Sequence, residues 1–124
     1  MADSDILKIP LLSNGQVNQF ATANEGTSFL ERAANDIFEV VMSADQVLLL
    51  ADFVRAAVFI GLGHSVARNL TVPQSKRLFV VHNMGTASGV LNVVRGSTTI
   101  ALAVAAAPSW FYTDGTTNGL FKIG

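Results

Sequence analysis

The chain contains no cysteine, which removes disulfides, thiolate metal sites and cysteine nucleophiles at once. It is also short of charge. Only 14% of its 124 residues are charged, against an ordinary share of about 25%. Neither sign dominates that small set: the net charge is -1 and the pI about 6.0. Without a basic stripe a nucleic-acid partner is not expected. Long apolar runs are missing too. The longest, Ile100–Pro108, is too short for a bilayer, which takes roughly 20 residues to cross, so no membrane partner is expected. Met1–Asp5 is acidic and lacks the basic and apolar regions of a secretory signal. What the chain does have is apolar residues, 50% of the total. One domain is the natural reading of this length. A domain this small has a large surface for its volume and cannot hide that much apolar area alone. The excess points to burial against other chains.

The punctuation of the chain predicts many short strands. Residues 1–35 read as an extended arm, with Ile6, Ile9, Leu11 and Leu12 as apolar anchors among the breakers Pro10 and Ser13-Asn14-Gly15. Ser28 and Glu31 have capping-box spacing, which predicts one or two helical turns over Phe29–Ala34. From residue 36 the pattern changes. Ile37–Met42 alternates as a strand, with Phe38, Val40 and Met42 on one face. Gln46–Leu62 supports two readings, because Val47, Leu50, Ala51, Val54 and Val58 fall at helical spacing. Arg68–Val72 is a short strand stopped by Pro73. Arg77–Asn83 holds the continuous run Leu78-Phe79-Val80-Val81, which reads as a central strand buried on both faces. Val90–Arg95 and Thr98–Leu102 flank Gly96-Ser97 as a hairpin. Ser109–Thr113 is an aromatic strand. Asp114-Gly115 and Asn118-Gly119 are turn pairs before a last strand at Leu120–Ile123. Short strands at regular spacing predict an all-β fold, an antiparallel β-sandwich or jelly-roll-like module over 36–124, carrying the arm in front of it.

From about Asp36 the chain resembles a module of tailed-bacteriophage virion proteins: tail fibres, head fibres and capsid decoration proteins. The resemblance lies in a succession of parts. A short Leu-rich strand and turn (Val47–Asp52) precede an apolar strand ending in Gly (Val58–Gly63). Leu70–Pro73 reads L-T-V-P, Val81-His82-Asn83 reads V-x-N, and a Thr/Ser/Gly loop follows. A V-x-V strand (Val90–Val94), a Gly turn and an aromatic-Tyr-Thr-Asp-Gly-Thr motif (Phe111–Thr116) complete it. The resemblance selects the β reading of Gln46–Leu62: a strand over Val47–Leu50, a turn or single helical turn over Ala51–Arg55 and a second strand over Ala57–Leu62. It also implies a structural or host-contacting role and a usually trimeric state. Long repeats and a glycine-rich shaft are absent, which favours a small attached protein over a complete fibre.

Catalytic patterns are sparse. His64 and His82 do not stand at metal-ligand spacing. His82 continues the face of Leu78 and Val80 and reads as a core or interface residue, and His64 as a loop residue. Gly61-Leu62-Gly63 lacks the third glycine and the Lys-Ser/Thr ending of a phosphate loop. Ser88 is not central in a nucleophile elbow. Trp110 and Tyr112 share one face of their strand and Phe111 takes the other. They read as core or interface, with a sugar platform as the alternative. With the resemblance, the expected role is that of a virion structural protein rather than an enzyme, without cofactor or metal. It would be a capsid decoration or head-fibre subunit held to the particle through its arm and assembled in the host cytoplasm. The expected partners are further copies of the chain, in the trimer that the resemblance implies, and other capsid or tail proteins. The contact residues would be Ile6, Ile9, Leu11, Leu12, Phe79, Val81, Trp110 and Tyr112. The alternative is a tail-fibre or receptor-binding module that contacts a host surface glycan through the loops Met84–Gly89 and Asp114–Gly119.

Overall fold

The computed structural model of the protein describes Leu30 and residues 33–124. The strands are β1 (Ile37–Val41), β2 (Gln46–Val47), β3 (Val58–Leu62), β4 (Arg68–Thr71), β5 (Lys76–Met84), β6 (Leu91–Arg95), β7 (Thr98–Leu102), β8 (Ser109–Asp114) and β9 (Leu120–Lys122). One short helix, α1 (Leu50–Phe53), separates β2 from β3. The split reading of Gln46–Leu62 is therefore correct, and helical periodicity there is overridden by strand pairing. Leu30 and residues 33–35 are helical, within or next to the helical turns expected there. The rest of the arm lies outside the described residues.

The strands form two packed sheets, ordered β1-β3-β5-β8-β9 and β2-β4-β6-β7. The all-β sandwich expectation holds. Its pairings are mixed rather than antiparallel throughout. β1–β3, β3–β5, β2–β4 and β4–β6 are parallel, while β5–β8, β6–β7 and β8–β9 are antiparallel. From β1 to β6 the chain changes sheet at every step. It winds as a coil, each turn adding one strand to each sheet. Register runs from Ile37 to Val58 to Val80 in one sheet and from Leu70 to Val93 in the other. A parallel pair needs a long crossover, and here the opposite sheet supplies it. Stacked turns of this kind bury a continuous core between neighbours that none could bury alone. β7 then folds back on β6, and β8 and β9 close the first sheet beyond β5.

The core fills the space between the sheets. Phe59, Phe79, Val81 and Phe111 project inward from one, and Leu70, Leu91, Val93 and Leu102 from the other. α1 contributes Phe53, its one buried residue. The Phe53 ring lies 5.5 Å from Phe59 and 5.0 Å from Phe79, and Phe79 lies 5.7 Å from Phe111. Such ring pairs add about 0.5–1.5 kcal/mol each beyond their buried area. The Arg77 guanidinium sits 5.6 Å from the Phe53 ring centroid and donates to the Ala33 carbonyl oxygen. It joins the start of β5 to the segment before β1, and burial lowers its pKa from the ordinary arginine value.

The β6–β7 hairpin turns on Gly96, whose φ is +58°. A Cβ there would stand 2.1 Å from Asn118 Oδ1 and 2.4 Å from the Thr117 carbonyl oxygen, so both the left-handed backbone and the close neighbours require glycine.

Candidate functional site

β5 lies in the middle of the five-stranded sheet, but it is not buried on both faces, contrary to the sequence reading. Phe79, Val81 and Asn83 point into the core. Leu78, Val80 and His82 point out, and Leu78 keeps 53% of its surface exposed. A continuous apolar run without alternation reads as a strand covered on both faces, but here one of its faces is open in the single chain.

That open face is continuous across the sheet. Register sets its side chains in rows: Leu78 beside Tyr112 and Phe121; Ile37, Val58, Val80 and Trp110 in the next; then Glu39, Ile60 and His82; then Val41, Leu62 and Met84. Trp110 is 50% exposed, and the Tyr112 and Phe121 rings stack at 4.8 Å. Glu39 and His82 carry the one carboxylate and the one imidazole in these rows. The opposite surface of the molecule has a different character. There the four-stranded sheet presents Asn69 and Asn92 beside Ala101, and Thr71 and Thr99 beside Val47 and Val94, and the Asn92 amide donates to Asn69 Oδ1 at 3.0 Å. The chain thus has one sheet face of mixed character and one that is largely apolar.

Of the expected contact residues, Trp110 and Tyr112 lie on the apolar face. Phe79 and Val81 do not. They are fully buried in the protein's own core, because alternation sends them inward, and this corrects their assignment as surface contacts. Ile6, Ile9, Leu11 and Leu12 lie outside the described residues. The sequence reading missed Ile37, Leu78, Met84 and Phe121. Strand alternation marked Leu78 as a neighbour of Val80, but joining it to Tyr112 and Phe121 requires the cross-strand register.

The two loops proposed for ligand contact stand at opposite ends of the sandwich. β5 separates them: Lys76 pairs with Asp114 and Met84 leads into the other loop. A strand of that length spans about 25–30 Å, so the loops do not share a pocket. Residues 114–119 spend their polar groups internally. Asp114 Oδ1 accepts from the Thr116 amide at 3.0 Å and from its hydroxyl at 2.6 Å. The Thr116 hydroxyl is the leading cause of the lowered Asp114 pKa, joined by the Thr116 amide. Asn118 accepts from the Ser97 amide and the Thr98 hydroxyl, and Arg95 Nε donates to the Thr117 carbonyl oxygen at 3.0 Å.

The other loop packs on His64, which is buried, with neither ring nitrogen hydrogen-bonded. A Cβ at Gly85 would stand 2.5 Å from its Nε2. Asn83 secures this end. Its Nδ2 donates to the Gly89 and Leu102 carbonyl oxygens at 2.8 and 2.9 Å, and its Oδ1 accepts from the Gly85 amide at 2.9 Å.

Among the described residues no group of three or more His, Asp or Glu side chains is placed to hold a metal ion, and no helix is long and apolar enough to cross a membrane. No family model, curated protein or solved structure matches the chain.

Proposed function

We propose that the chain is a virion structural protein, a capsid decoration or head-fibre subunit, whose work is adhesion. The observation that carries this reading is the apolar outer face of the five-stranded sheet. Covering such a face releases water from apolar surface, the dominant favourable term in protein association. A rigid coil of short strands behind it presents the face with little conformational cost on binding. The succession of motifs from Val47 to Thr116 points the reading towards a phage particle. Within it, Ile6, Ile9, Leu11 and Leu12 supply the attachment to neighbouring virion proteins.

Immunogold electron microscopy tests the reading. Antibody raised against the recombinant chain should label the heads of particles assembled from the genome that encodes it. Label confined to the tail tip would replace it with the receptor-binding alternative, and unlabelled particles would contradict both.

A further inference from the structure

The apolar sheet face carries two ionisable side chains near its middle, and their placement indicates what covers it. Glu39 on β1, Ile60 on β3 and His82 on β5 form one row across adjacent strands. The rows on either side of it in these three strands are wholly apolar. A carboxylate in such surroundings loses its hydration when the face is covered, so a fitting occupant must bring a complementary group opposite each of the two.

A second copy of the chain does this. We infer that two copies pack face to face through the five-stranded sheet, related by a two-fold axis running along β3. Rotation about that axis keeps every row at its own level and reverses the strand order. β1 of one copy then lies over β5 of the other. Glu39 faces the second copy's His82, and His82 faces its Glu39. Ile60 meets its own counterpart on the axis. This reciprocity is that of an isologous contact, in which one surface complements itself. Each Glu39 carboxylate accepts a hydrogen bond from an imidazole N–H that would otherwise be desolvated without a partner.

The axis overlays β1, β3 and β5 and leaves β8 and β9 beyond the edge of the other copy, so aliphatic side chains make the contact. Ile37, Val41, Leu78 and Met84 keep about half of their surface exposed, and Val58, Ile60, Leu62 and Val80 are half-buried. Together they offer on the order of 500 Å² per copy, about 1,000 Å² in total, the size a specific interface has to reach. Sheets packed in this way stay within about 30° of alignment, which leaves the central row in register. The other sheet face intersperses asparagine and threonine with Val47, Val94 and Ala101, and Val47 is its one large, well-exposed apolar side chain. The inference goes beyond the virion reading and does not depend on it.

Sedimentation equilibrium on the full chain and three variants tests the pairing. The unmodified protein should be a dimer. Glu39→Lys removes the carboxylate that accepts from the imidazole N–H, and His82→Glu sets carboxylate against carboxylate. The second mismatch occurs twice per dimer and should raise the Kd at least about tenfold, the first by less. The double variant Glu39→Lys with His82→Glu sets an ammonium against a carboxylate and should return the Kd to within about threefold of the unmodified value. Glu39 is exposed and His82 half-buried, so the swaps spare the core, and melting temperatures check this. Ile60→Lys, on the axis, is an independent variant expected to give a folded monomer. An unmodified chain that stays monomeric at micromolar concentration, or forms a trimer, overturns the two-fold pairing. So does a double variant no tighter than the single ones.

Discussion

Asn83 shows how much one residue carries in this fold. It is the last inward side chain of β5, where a hydrophobic residue would be expected. Its amide instead closes the end of the sandwich, tying the Gly85 and Gly89 backbone and the end of β7 together. Asn83→Ala leaves two carbonyl oxygens and one amide without their partner in a buried place. Each lost bond of this kind costs about 1–3 kcal/mol, and chemical denaturation should show a loss towards the upper end of that range or beyond. Asn83→Asp should be worse, since a carboxylate would face two carbonyl oxygens. A variant as stable as the unmodified protein would mean that water replaces the side chain at no cost. The sequence marked this residue only as part of a V-x-N pattern and a turn. Its role became visible with Leu102, a residue 19 positions away, brought beside it by the coil.

At the scale of elements, most strands were legible because their boundaries are written in local chemistry. Pro73, Gly96-Ser97 and Asp114-Gly115 stop strands wherever those strands pair. The parallel pairing was not legible, since a coil and an antiparallel meander place turns at similar intervals. β5 illustrates the division. Its existence follows from its composition, whereas the exposure of one of its faces depends on what the rest of the sheet leaves uncovered. Val81→Asp should abolish folded protein, because it buries a charge among Phe59, Phe79 and Val93 without a partner. Val80→Asp should leave a folded chain that no longer associates. Thermal melts with sedimentation separate the two, and unfolding by both substitutions would mean that the outer face is part of the monomer core.

The loop after β8 should respond to acid. Hydrogen bonds from Thr116 hold Asp114 below its ordinary carboxylate pKa. A depressed folded value means that its stabilising effect is complete above the unfolded pKa and is lost as pH falls through the folded one. The Thr116 amide shift should therefore titrate beneath about pH 4, the ordinary aspartate value, and should stop doing so in Asp114→Asn. A midpoint at or above the ordinary value would contradict the hydrogen-bonded geometry.

For the whole molecule, composition and structure converge on the same physical point. Half of the residues are hydrophobic, and the two-sheet core takes only one face of each sheet. On the four-stranded sheet the remaining face is of mixed character. On the five-stranded sheet it is apolar, and it brings together Trp110 and Tyr112, legible as contact residues, with Ile37, Leu78 and Phe121, legible only through register. The central claim is that the β1, β3 and β5 part of this face is covered by another copy. Light scattering coupled to size exclusion, on the unmodified chain at micromolar concentration, tests it most directly. The account predicts a monodisperse species of twice the 13.1 kDa chain mass, and a monodisperse species of the single-chain mass would contradict it.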